Sequence, residues 1–295
     1  MKAPVTPAAL AIAFVLIACG GNDTDDEQTQ TPAATESPAE IPVVDITKTD
    51  QAFDAPGTIP GGLTHIRFHN ESTRGHGLDL LRLSEGSTIE QLEAAIVLSA
   101  SDFVTSKNQW TSLTDSVASI ATTPPGGTSE VVFDLEPGSY VLVSFIIGDP
   151  FTRPLAVTAA PAAQPAPPEA QSTITMSDFA YAGAPGTLPP GRTTLEVVNE
   201  GHQPHAMLAW RVNEEGITTG QVSQHLTGTP VSMKPTYAPT GGMGEIDPGV
   251  SGWVTLDLEP GVYTLVCLVI DNGTGSGETG KLHYQLGMNH PFTVQ

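Results

Sequence analysis

Three soft or borderline metal donors stand near the end of this 295-residue chain: the thiol of Cys267, the imidazole of His283 and the thioether of Met288. They follow the apolar run "GVYTLV", and His283 and Met288 have the spacing H-x4-M. Thiolate, imidazole and thioether together suit a soft metal ion. Each residue also has a plainer reading. A free Cys packs as a small hydrophobe and Met fills apolar gaps, while a His beside Tyr284 often sits only on a sandwich rim. Cysteine usage bears on the choice, since the chain has two, Cys19 and Cys267. If Cys19 is consumed elsewhere, Cys267 has no intramolecular partner, and a lone thiol in an oxidising compartment is buried, reactive or metal-bound.

The N-terminus supplies a use for Cys19. Lys2 precedes the apolar run "ALAIAFVLIA" with no basic stop-transfer flank, so residues 1–18 read as a secretory signal. The tetrapeptide "LIAC" (Leu16, Ile17, Ala18, Cys19) resembles the bacterial lipobox and predicts lipidation of Cys19. Residues 19–40 carry six acids, no base and almost nothing apolar, the composition of a disordered tether. The expected location is the cell envelope, lipid-anchored and facing the periplasm or the exterior. Asp and Glu number 32 against 11 Lys and Arg, for a net charge of -21. Such a surface repels phosphate backbones, which argues against a nucleic-acid partner, and it suits either a high-salt habitat or docking to a basic redox partner.

The elements that must position these donors are written twice. "APGTIPGG" (55–62) returns as "APGTLPPG" (184–191), and "HNESTRGH" (69–76) as "VNEGHQPH" (198–205), both 129 residues on. "PGGTSEVVFDLEPGSYVLVS" (125–144) returns as "PGVSGWVTLDLEPGVYTLVC" (248–267) after 123. A Pro/Ala linker, 158–171, separates a first domain, 41–157, from a second, 172–295. Within each copy, short β-branched and aromatic runs bounded by Pro-Gly clusters predict a β-sandwich or barrel. One helix interrupts each. "STIEQLEAAIVL" places Ser87 three residues before Glu90 as a capping box, with Ile89, Leu92 and Ile96 on one face, and its counterpart begins at Thr218 with Gln221 three on. Strand alternation sets Cys267 on the same face as Tyr263 and Leu265. Gly287 allows the bend that returns Met288 towards His283.

"VNEGHQPH", "GVYTLVC" and "HYQLGM" together resemble the cupredoxins, the plastocyanin- and azurin-like blue copper proteins, across residues 172–295. The resemblance implies an all-β chain of two tandem Greek-key sandwiches, each with one short inserted helix. It also implies one copper ion, held in the second domain by His205, Cys267, His283 and, as a weak axial ligand, Met288. Two imidazoles, a thiolate and a distant thioether suit both oxidation states of copper. Here fifteen residues separate Cys267 from His283, where the family has only a few. His202, Met207 and His290 are nearby further donors. The first domain has Ser144 in place of the thiol and is expected to bind no such copper. Its His76 matches His205 and points to a shared structural role, while His65 and His69 read as solvent-facing positions of a strand. Multicopper oxidases and copper nitrite reductases, which duplicate the same fold, carry His-x-His pairs and a Cys followed by His, whereas Leu268 follows Cys267. The expectation is a copper-binding electron-transfer or copper-holding lipoprotein and no enzyme; the alternative is a metal-free binding or structural lipoprotein of the same fold.

Overall fold

The alternation read from the sequence appears directly in the computed structural model, which describes residues 39–98, 110–144, 151–273 and 279–295. The expectations for the signal, Cys19 and most of the tether lie outside the described residues. The first copy runs β1 (Val43–Lys48), β2 (Phe53–Asp54), β3 (Thr58–Pro60), β4 (Gly62–Asn70), β5 (His76–Leu83), α1 (Ile89–Leu98), β6 (Thr114–Thr123), β7 (Thr128–Leu135), β8 (Gly138–Ser144) and β9 (Phe151–Thr158). The second runs β10 (Ser172–Ser177), β11 (Ala180–Ala182), β12 (Thr187–Leu188), β13 (Gly191–Asn199), β14 (His205–Val212), α2 (Thr219–Leu226), β15 (Tyr237–Ile246), β16 (Ser251–Leu258) and β17 (Gly261–Val266). It ends with β18 (Ile270–Asn272), β19 (Thr279–Leu282), a 3-10 turn over His283–Leu286 and β20 (Asn289–Val294). β4 and β13 alternate buried and half-buried residues, so each gives one face to a core. Residues 159–171 connect β9 to β10 without helix or strand.

The copies share two sheets. One has the order β11-β10-β13-β16-β7-β4-β1-β2, the other β12-β20-β17-β14-β15-β6-β5-β8-β9-β3. Reading either order from its two ends gives equivalent strands, so the copies are related by a pseudo-twofold axis. Its position is visible in the register: Val254 of β16 pairs with Val131 of β7, and Met243 of β15 with Ile120 of β6. Each pair joins residues 123 positions apart, the repeat spacing itself. An edge that would otherwise offer unpaired backbone groups to another chain is thereby covered by the sister copy. Arg192 adds a bidentate ion pair across the junction to Glu130, at 2.9 and 3.0 Å. Ile66, Phe68, Val131, Phe133, Val197, Leu256, Tyr263 and Phe292 fill the core between the sheets.

Both helices cap as reciprocal pairs, with one shift from the sequence reading. Thr218 and Gln221 form the expected box on α2. On α1 the reciprocal bonds join Thr88 and Gln91, not Ser87 and Glu90: Thr88 N–H donates to Gln91 Oε1 and Gln91 N–H to Thr88 Oγ1. A Gln one position on reaches back as well as the Glu does, and it brings Leu92, Ala95 and Ile96 fully onto the satellite core beneath α1. No helix among the described residues is long and apolar enough to cross a membrane.

Candidate metal centre

His205 is delivered by an asparagine-tied loop. At the end of β13, Asn199 Nδ2 donates to Gln203 O and Ile246 O at 3.0 and 2.9 Å, and its Oδ1 accepts from Gly201 N at 2.9 Å. These bonds close residues 200–204 into a compact turn, so that β14 starts at His205 with the ring directed inwards. The first copy repeats the device: Asn70 Nδ2 donates to Arg74 O and Thr123 O, at 2.7 and 2.8 Å, and presents His76.

Cys267 follows β17, a strand bordered by β14 and β20, and lies in the main core with Tyr263 and Leu265, the face given by alternation. The fifteen residues after it do not separate it from His283. β18 and β19 pair antiparallel, with Ile270 opposite Leu282 and Asn272 opposite Thr279. The ladder then continues into the site, where His283 N donates to Val269 O at 2.9 Å and Tyr284 N to Cys267 O at 3.0 Å. Long-loop closure is thus done by strand pairing, and the ends meet as they would across a short turn. Gly287, at φ 113°, closes the 3-10 turn in a left-handed conformation. Met288 N then donates to His283 O at 3.0 Å, and Cys267 N to Met288 O at 3.3 Å. Met288 is fully buried in the same core cluster as Cys267.

His205, Cys267 and His283 are all fully buried, and one donor atom from each lies within 4.8 Å of the others. His205 Nδ1 is 3.0 Å from His283 Nδ1, which is 3.3 Å from Cys267 Sγ. The outer nitrogens fix the tautomers. His205 Nε2 donates to Asp178 Oδ1 at 2.7 Å. His283 Nε2 lies 3.2 Å from Gln203 Oε1, and Gln203 Nε2 donates to Asp271 Oδ1 at 3.1 Å. Because a carboxylate accepts only, Asp271 sets the amide of Gln203 with its oxygen towards His283. Both Nε2 atoms therefore carry the proton, and both Nδ1 lone pairs face the thiol sulfur. The sulfur also accepts from Ala206 N at 3.3 Å, a bond that favours thiolate character. Two lone pairs and a thiolate converging on one buried point form a donor set for a cation, and its types fit one copper ion of the type 1 kind.

Burial pushes the His205 imidazole pKa below its ordinary value, against the upward pull of Asp178. For Asp178 burial acts upwards, but hydrogen bonds from His205 and His202 outweigh it and hold the carboxyl below its usual range. The ring is thus neutral with its carboxylate ionised, the state a ligand requires.

Sequence reasoning missed the groups that hold the donors. The turn between β10 and β11 contributes two of them, Asp178 and Phe179, and β11 a third, Tyr181. Phe179 meets both rings edge-on, its centroid 4.9 Å from that of His283 and 6.4 Å from that of His205. Tyr181 donates to Ala206 O at 2.6 Å, steadying the residue whose N–H reaches the sulfur. The repeat did contain a signal for Asp178. Its counterpart Asp50 accepts from Thr73 N at 2.8 Å as Asp178 accepts from His202 N at 3.3 Å, in each case the residue three before the loop His.

Of the other candidate donors, Met207 is buried in the core, His290 Nε2 bonds Pro185 O at 3.1 Å, and His202 is 81% exposed with Nδ1 on Asp178 at 2.9 Å. In the first copy His76 Nδ1 meets Ser144 Oγ at 2.7 Å. Lys48 pairs with Asn70 as Met176 pairs with Asn199. The lysine is fully buried, with its ammonium 3.4 Å from the Phe151 ring centroid and bonded to Thr49 O. A fixed cation thus occupies this pole of the first copy. His65 and His69 are half-buried strand residues engaged with Glu130 and Asp45 at 3.1 and 2.9 Å.

No protein-family model and no curated protein matches the chain. Solved structures similar to it include auracyanin from the photosynthetic bacterium Roseiflexus castenholzii, at 22% identity over 42% of this chain and 99% of that one, with a TM-score of 0.27. Auracyanin A, a blue copper protein from Chloroflexus aurantiacus, is similar at 21% identity over 39% and 98%, with a TM-score of 0.29. A laccase-like multi-copper oxidase from Ochrobactrum sp. is similar at 11% identity over 88% and 68%, with a TM-score of 0.25. At these scores the assignment of the site rests on the chain's own donor atoms.

Proposed function

We propose that this chain is a copper-binding protein of the cell envelope, tethered through lipidated Cys19, that transfers electrons or holds copper at a single centre. Its ligands are His205, Cys267 and His283, with Met288 as the weak fourth. The observation that carries this reading is the convergence of the two Nδ1 atoms and one cysteine sulfur in a fully buried site. Copper bound there supplies a one-electron couple. The protein's part is to keep the donors in place in both charge states. Asp178 and Gln203 hold the outer ring nitrogens, the Ala206 N–H offsets negative charge on the sulfur, and Phe179 shields both rings from water. Preorganisation of this kind lets charge change with little movement of the ligands. The net charge of -21 favours a basic redox partner.

The test is addition of Cu(II) to the purified full chain. The expected result is uptake of one ion with an intense blue charge-transfer band that is lost in Cys267→Ser. Absence of copper uptake overturns the proposal and returns the chain to the metal-free binding reading. Uptake without the blue band assigns copper holding in place of electron transfer.

A further inference from the structure

Two carboxylates stand behind the ring nitrogens of the candidate centre, and both are withdrawn from solvent. Asp271 is 1% exposed and the Asp178 side chain 10%. Asp178 Oδ1 accepts from His205 Nε2 at 2.7 Å, so its charge lies directly behind one ring. Asp271 Oδ1 accepts from Gln203 Nε2 at 3.1 Å and from Gly273 N at 3.0 Å, and Gln203 Oε1 lies 3.2 Å from His283 Nε2. The second charge therefore lies behind the other ring, one amide further out. Imidazoles bind a metal in the neutral form and Cys binds it as thiolate. A cation at this pole would thus face three negative charges, one in contact and two behind its ligands.

The first copy shows the opposite balance. There the strand position beside the loop asparagine holds the fully buried Lys48, and Ser144 stands in place of the thiol. In the second copy that position is Met176, equally buried and uncharged. The attraction of a fixed negative charge grows in proportion to the charge of the bound ion, and in a buried site water screens it little. We propose that Asp178 and Asp271 shift this centre towards Cu(II) and away from Cu(I), lowering the reduction potential of the bound ion. The inference rests on the copper reading of His205, Cys267 and His283 and adds the oxidation state that the surrounding charges favour. Asp178 acts through His205, and Asp271 acts through Gln203, so both are positioning residues as well as charges.

Separate titrations of the full chain with Cu(II) and, without air, with Cu(I), each against a chelator of known affinity, test the proposal. Asp271→Asn keeps an oxygen for Gln203 and removes the charge. Its expected result is a loss of about threefold in Cu(I) affinity and about tenfold in Cu(II) affinity, because the ion's charge is doubled while the charge removed is the same. The potential of the bound ion then rises by about 30 mV, at about 59 mV per tenfold for one electron. Asp178→Asn, on a separate segment, gives the same pattern, a Cu(II) loss that is the square of the Cu(I) loss. Glu200→Gln, which removes an exposed charge from the neighbouring loop, changes neither affinity. Equal losses for the two ions in Asp271→Asn and Asp178→Asn, with the potential unmoved, assign both carboxylates a structural role alone and overturn the proposal, as does unchanged binding of both ions. Failure of the parent chain to bind either ion overturns the copper reading itself, and the proposal with it.

Discussion

His205 and His283 turn the same ring atom towards each other, with their Nδ1 nitrogens 3.0 Å apart inside a core that excludes water. Since each ring donates from its Nε2, neither has a proton to share at Nδ1, and the contact is between two lone pairs. The Cys267 sulfur lies 3.3 Å from His283 Nδ1, so all three donor atoms crowd one point. A cation between the rings would be bound by both lone pairs. The geometry is therefore held by the outer partners, and those partners are the places to test it.

Asp178→Ala should lower copper affinity by about 10- to 100-fold, the usual cost of losing a carboxylate behind a ligand histidine. Asp178→Asn keeps an acceptor for His205 Nε2 and should lose less. Competition with a chelator of known affinity measures both, and equal losses would show that charge alone matters.

Gly201 has no room for a side chain. A Cβ there would lie 2.5 Å from His205 Nε2 and 2.8 Å from Asp178 Oδ1. Gly201→Ala should therefore push the ring and carboxylate apart, destabilising the fold by about 1–3 kcal/mol and weakening copper binding. Gly186→Ala, where a Cβ meets nothing within 4 Å, is the reference; thermal melting compares the two.

Ser144→Cys should create no blue centre in the first copy. The thiol would face His76 alone, with no second imidazole and with the Lys48 ammonium at the same pole. Copper stoichiometry of this variant should remain that of the parent.

Stability should fall on acidification below about pH 6.5, the ordinary value for histidine. Burial, and then the Lys48 charge, depress the His76 pKa in the folded state. A depressed histidine binds its proton more readily when unfolded, so its contribution is present above the unfolded pKa and is lost as pH falls. Urea midpoints between pH 8 and pH 5 measure the slope, which should become shallower in Lys48→Met as one of the three depressing causes, burial, Lys48 and Arg74, is removed.

The sequence by itself determined the repeat, the alternating strands and the residue types of the donor set. Those are local properties: a period of two, a Pro-Gly turn, a thiol after an apolar run. "VNEGHQPH" even identified the loop whose asparagine ties it shut. Tertiary structure alone decided three other matters. It paired equivalent strands of the two copies edge to edge, because each sandwich leaves an unpaired edge that only its twin matches in shape and register. It paired β18 with β19, which brings His283 beside Cys267 through backbone ladder bonds that no side-chain pattern encodes. And it set Phe179, Gln203 and Asp271 around the rings, contacts between segments as far apart as Gln203 and Asp271, where orientation depends on packing in three dimensions and spacing along the chain carries no trace of it.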